Sequence, residues 1–160
     1  MVQVANYQAA KDIQQGQLVG KVTTDTTWDN AASTTCNTWV NPTEGGCFIW
    51  SKDHPASMHC ATYKTFNINT TKPLISATLF LAVDNYGSVF INGKTVTVDD
   101  PTPEPSNYKQ GRYFIFSKED CEQYFVAGQN IITILAYNYA PTGDTTDNPA
   151  GVYTSLEVFA

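Results

Sequence analysis

The chain has 160 residues and carries nine Lys and Arg against fifteen Asp and Glu, a formal net charge of −6 with neutral histidines. A surface that follows phosphates needs clustered cations, so an acidic chain with scattered basic residues excludes non-specific nucleic-acid binding. No apolar run is long enough to span a bilayer, which argues against membrane insertion, and the length suits one domain that buries its own core without needing a metal or disulfide to fold.

In chain order, Val2-Gln3-Val4 reads as a short strand, and the Gln- and Ala-rich residues 5–20 are open between helix and loop. Residues 21–47 are dominated by Thr, Asp, Asn and Gly. They read as a decorated loop with one or two strands, anchored by Trp28 and Trp39, so the portion from about 5 to 47 is expected to be loop-rich. Ala61–Asn67 alternates as a strand. Pro73 leads into a strongly apolar strand at 76–83, and Asp84-Asn85 forms a polar corner before a second strand. Asn92-Gly93 is the preferred dipeptide of a type I′ turn, in which both central residues need positive φ, and Lys94–Val98 resumes the alternation. Three prolines between residues 99 and 105 remove ladder donors, so that stretch is an exposed loop. Gly111–Ser117 is an aromatic-rich strand. Ser117 caps a helical turn through Cys121–Tyr124, its hydroxyl accepting from the backbone N–H of Asp120, and strands at 129–138 and 151–159 complete the chain.

Charged residues make up only 15%, and Thr, Asn, Tyr and Ser are abundant, a mixture that favours strands and polar turns. The pattern predicts a single all-β domain over 1–160. The strands at 79–83 and 131–137 are apolar on both faces, so the second face requires cover from loops or from a neighbouring subunit, which leaves homo-oligomer or virion packing open.

The order of apolar strand, Asp84-Asn85, Tyr86, short strand and Asn92-Gly93-Lys94 resembles the galactose-binding-like jelly-roll modules, including the rhamnose-binding modules attached to α-L-rhamnosidases. Gly128-Gln129-Asn130, the apolar strand that runs to Asn138, and Asn148-Pro149-Ala150-Gly151-Val152 are similar to the late strand and final corner of such modules. Phe48-Ile49-Trp50 and Tyr63-Lys64-Thr65-Phe66 look like the early crossing of the sandwich. The resemblance implies an antiparallel β-sandwich and recognition of a glycan. It also implies Ca²⁺ at the acidic-amide corner, held by Asp84 and Asn85 with Asn138 and Asn148 as candidates from the final corner. From the residues alone, Asp84-Asn85 reads equally as an Asx-type turn that only reverses the chain.

A sugar-binding surface also needs an aromatic platform for the apolar face of a pyranose. Tyr86, Tyr137, Tyr139 and Trp28 are the candidates, with Asn148 and Arg112 as hydrogen-bonding partners. Catalysis finds little support. There is no Gly-x-Ser-x-Gly or His-Glu-x-x-His, and the adjacent acids Asp99-Asp100 and Glu119-Asp120 sit where a proline-rich loop or a helix start explains them.

Cys36, Cys47, Cys60 and Cys121 allow three pairings, and four free thiols are the alternative. The expected pairing is Cys36–Cys47 across a short loop and Cys60–Cys121 across a long one, the latter worth about 4 kcal/mol in chain entropy. Cys47, His54, His59 and Cys60 do not reproduce the paired spacing of a small zinc site. The opening residues lack the basic-then-apolar pattern of a secretory signal, and an extracellular or virion-surface location is expected; Asn69-Thr70-Thr71 is a glycosylation sequon. Two functions therefore stand: a non-catalytic carbohydrate-binding module or lectin-like adhesin, or a structural protein of a virion or extracellular assembly.

Overall fold

The computed structural model describes residues 2–99, 107–139 and 148–160. The stretch after Asp99 that carries the three prolines, expected to be an exposed loop, lies outside these residues.

Two antiparallel sheets are stacked. The elements are β1 (Gln3–Ala5), α1 (Tyr7–Asp12), β2 (Leu18–Thr23), β3 (Ala31–Thr34), β4 (Phe48–Ser51), β5 (His59–Ile68), β6 (Ser76–Asp84), β7 (Tyr86–Ile91), β8 (Lys94–Val98), α2 (Asn107–Gln110), β9 (Arg112–Phe116), α3 (Lys118–Tyr124), β10 (Gly128–Tyr137) and β11 (Gly151–Phe159). One sheet runs β1-β9-β6-β11-β4-β3, with β2 also on β11; the other runs β5-β10-β7-β8.

The core between them follows from period-two alternation. Leu79, Leu81 and Val83 of β6 and Val152, Leu156 and Val158 of β11 meet Ile132 and Ile134 of β10, Val89 and Ile91 of β7, and Phe66 and Ile68 of β5. Each fully buried Leu or Ile contributes about 1.5–3 kcal/mol. The opposite face of β6 is equally dry, because Phe80 and Ala82 pack with Trp39, Phe48 and Tyr153 in a second cluster. The chain's own segment between β3 and β4 supplies that cover. Gly151 permits it, since a Cβ there would stand 2.4 Å from Trp39 Cη2.

Local signals hold where they are strong. Asn92 and Gly93 have φ of 51° and 75°, as the turn requires. Asp120 N donates to Ser117 Oγ at 3.2 Å, and the Asp120 carboxylate returns a bond to the Ser117 backbone, closing a capping box for α3. The stretch expected to be loop-rich contains α1, capped by the Asn6 side chain, together with β2 and β3. Among the described residues no helix is long and apolar enough to cross a membrane.

The disulfide expectation is corrected. All four cysteines are free thiols. Cys60 opens β5, whereas Cys121 shares a cavity with Ile68 at the other end of that strand, eight residues or about 26 Å away. Cys36 and Cys47 line one small cavity beside Trp39, but Cys36 Sγ contacts Thr38 Oγ1 at 3.2 Å instead of a second sulfur.

Candidate functional site

One end of the sandwich gathers most of the candidate residues. The Asp84-Asn85 corner crosses from the seven-stranded to the four-stranded sheet through a cis peptide. Asn85 N donates to Tyr137 O at 2.9 Å, Asn85 Oδ1 accepts from Tyr139 N at 2.7 Å, and Asn85 O accepts from Asn107 Nδ2 at 3.1 Å. Asn148 Nδ2 donates to Tyr139 O at 2.9 Å, and Asn138 Nδ2 donates to Asn148 O at 3.4 Å. These short amides satisfy the backbone groups that the ladders leave unpaired at the rim, which fixes the loops.

On the outer face of the four-stranded sheet, just inside this rim, lies an open recess of about 440 Å³. Register builds it: His59 and Tyr86 are the ladder partners of Tyr137 on either side, so three rings form a row across β5, β10 and β7. Tyr86 and Tyr137 stack with centroids 5.9 Å apart and planes 17° off parallel, and His59 lies 4.8 Å from Tyr137. Ser88, Leu135 and Asp99 also line it.

The Asp99 carboxylate is held from behind. Arg112 Nη1 and Nη2 reach its two oxygens at 2.6 and 2.8 Å, and Gly87 N donates to Oδ2 at 2.8 Å. The guanidinium also lies over the Phe114 ring, 5.5 Å from its centroid. Such a fork fixes the position of the acid before anything binds.

A second cleft, about 300 Å³, opens between the sheets at the same end, lined by Trp50, Ser51, Ser57, Met58, Asn138 and Asn148 among others. Asn138 continues the inward-facing series of Ile132, Ile134 and Ala136 and is only 5% exposed. Among the described residues its Oδ1 is a buried acceptor with no hydrogen-bond partner. An acceptor in that state is costly unless a donor arrives.

The predicted residues distribute as follows. Tyr86 and Tyr137 share the outer recess, and Asn138 and Asn148 share the inner cleft. Tyr139 is half exposed, its backbone held by the Asn85 and Asn148 side chains. Arg112 is spent on Asp99 and acts behind the recess. Trp28 is corrected as a platform: it is 3% exposed, and its indole N–H donates to Thr23 O at 2.9 Å, so it is a core residue.

The calcium set is not brought together. Asp84 is buried on the outer face of the seven-stranded sheet, where Oδ2 accepts from Trp39 Nε1 at 2.9 Å. Burial pushes its carboxyl pKa up, and the indole bond only partly opposes this. Asn85 Oδ1 is used by Tyr139, and Asn138 faces the space between the sheets. Calcium asks for six to eight converging oxygens, and among the described residues the side chains of Asp84, Asn85 and Asn138 do not converge. Among the described residues no group of three His, Cys, Asp or Glu side chains gathers around a point.

His59, Ser88 and Leu135 were not singled out as site residues by sequence reading. Only the ladder register places His59 and Tyr86 on either side of Tyr137, and no local motif encodes that.

No protein-family model matches the chain, and no curated protein sequence matches it. Solved structures do. The lectin from Pleurotus ostreatus in complex with GalNAc superposes with a TM-score of 0.50 at 23% identity, covering 76% of this chain and 31% of the lectin. A Streptomyces avermitilis α-L-rhamnosidase complexed with L-rhamnose gives 0.53 at 20% identity, covering 81% of this chain and 12% of the enzyme. A family 35 carbohydrate-binding module from Clostridium thermocellum gives 0.44 at 16% identity, covering 85% and 96%. The first two share this chain's fold, the antiparallel β-sandwich expected from its strand pattern. The chain thus spans well under half the length of either protein.

Proposed function

We propose that the protein is a non-catalytic carbohydrate-binding module that seats a neutral glycan in the recess on the outer face of the four-stranded sheet. The observation that carries this is the row His59, Tyr137 and Tyr86 beside an Asp99 carboxylate already fixed by Arg112. A pyranose has an apolar C–H face and a rim of hydroxyls. The Tyr137 and His59 rings accept the first, with Tyr86, only 7% exposed, stacked behind Tyr137, while Asp99 and Ser88 offer partners to the second.

Supporting the reading, two solved structures of similar fold are a lectin with GalNAc and a rhamnosidase with L-rhamnose. Of the adjacent acids, Asp99 is clamped by Arg112 and Asp120 closes the capping box of Ser117. The ground for a purely structural role in an assembly is reduced, because the apolar outer face of β6 is covered by Trp39, Phe48 and Tyr153 of the same chain.

The test is binding to an array of immobilised neutral glycans by the wild-type protein and by Tyr137→Ala, with thermal denaturation of both. Binding by the wild type that is lost in a folded Tyr137→Ala supports the assignment. Silence of the wild type across the array, or binding indifferent to Tyr137, overturns it.

A further inference from the structure

Resting on the glycan-binding reading, we infer that the outer face of the four-stranded sheet is built for an extended, uncharged oligosaccharide lying along β5 and β10, and not for a single sugar. The recess is only one end of a patterned surface. Strand β5 points every second residue outward, and His59, Ala61, Tyr63, Thr65 and Asn67 are exposed where Cys60, Thr62, Phe66 and Ile68 are buried. On β10 the outward series includes Thr133, Leu135 and Tyr137.

Register turns these series into rows. His59, Tyr137 and Tyr86 form the first; Ala61, Leu135 and Ser88 the second; Tyr63, Thr133 and Phe90 the third. The first and third rows carry rings, and the second is low and aliphatic. Four residues separate His59 from Tyr63 along one strand, about 13 Å. That exceeds what one hexose covers, so a sugar seated on Tyr137 leaves Tyr63 free for a later unit of the same chain. Tyr63 is 44% exposed and Leu135 48%, a large apolar area for a solvent-facing sheet.

Charge identifies the occupant. Every second residue from His59 to Asn67, from Tyr86 to Phe90 and from Gln129 to Tyr137 faces outward, and none of these is Lys, Arg, Asp or Glu. In a chain of net charge −6, this face carries no charged side chain along three strands, and the Asp99 carboxylate at its recess is already paired with Arg112, which suits a neutral polymer. Thr65, Thr133, Ser88, Asn67 and Gln129 intersperse hydroxyl and amide groups among the rings. That alternation of apolar and hydrogen-bonding patches matches a glycan chain better than the continuous dry centre of a subunit interface.

The experiment is calorimetric titration of the intact protein with a chain-length series, from monosaccharide to the longest soluble oligomer, of the neutral glycan that the array selects. Wild type and Tyr63→Ala are compared, and sedimentation velocity is run on both. Affinity should climb with chain length in the wild type, and Tyr63→Ala should weaken the longest oligomer about tenfold and compress the ratio of long-chain to monosaccharide affinity. Tyr63→Phe should restore it, because stacking needs the ring and not the hydroxyl. Affinity independent of chain length and of Tyr63, with binding still lost in Tyr137→Ala, would overturn the extended site and leave the recess as a single-sugar site. A monomer–dimer equilibrium abolished by Leu135→Glu, with no gain from chain length, would assign the face to a second copy and overturn the inference.

Discussion

The indole N–H of Trp39 donates to Oδ2 of Asp84 at 2.9 Å, and both side chains are buried on the outer face of the seven-stranded sheet. Burial raises the Asp84 pKa above its ordinary 3.8, and the Trp39 bond draws it part of the way back. The folded state therefore holds this proton more tightly than the unfolded chain. Its contribution is whole below pH 3.8 and is lost as pH rises through the folded value. Urea denaturation across this range should show wild-type stability falling relative to Asp84→Asn as pH rises. Trp39→Phe, which strands a buried carboxylate, should cost about 1–3 kcal/mol more at neutral than at acid pH. Equal costs at both would mean that Asp84 is solvated.

Asp84 bonds Trp39 on the outer face of β6 whereas Asn138 lines the cleft between the sheets, so calcium should not support the corner. Asp84→Ala is expected to lower the melting temperature by the same amount in millimolar calcium as in chelator. A loss seen only in calcium would restore the ion.

The Arg112–Asp99 pair should matter twice. Removing the guanidinium in Arg112→Met leaves a carboxylate whose side chain is 6% exposed without its main partner, at a cost of about 3–5 kcal/mol by chemical denaturation. Arg112→Lys keeps the charge but not the fork, and should stay folded while binding glycan more weakly, because Asp99 is no longer held in the recess. Undiminished binding by Arg112→Lys would remove Asp99 from the site.

Burial pushes the Cys60 thiol up to about 11 and that of Cys121 to about 12. Neither should react with a maleimide under native conditions at neutral pH, whereas all four cysteines should react in denaturant without prior reduction. Intact-mass spectrometry counts the adducts, and a reductant should leave the melting temperature unchanged. Two adducts missing in denaturant would reveal a disulfide.

Much of the fold was readable before any coordinates. Asn92-Gly93 specifies its own turn, Ser117 and Asp120 specify a helix start, and the alternation of β5 marks its dry face, because each depends on neighbours a few residues away. The candidate site was half legible. Residue type near strand ends singles out Tyr86 and Tyr137, which share the outer recess, and Asn138 and Asn148, which share the inner cleft, but not the burial of Trp28, since exposure of a ring depends on what packs over it. Arg112 was assigned to the ligand and is instead the clamp on Asp99.

The sequence by itself determined strands, turns and caps, and with them an acidic all-β sandwich, because backbone geometry and hydrophobic period are properties of short segments. Only the tertiary structure decided that His59 and Tyr86 flank Tyr137, that Trp39 closes over Asp84, and that Cys60 and Cys121 sit at opposite ends of β5. Those facts follow from ladder register and sheet order, which are set by the summed packing of segments far apart in the chain and leave no local mark.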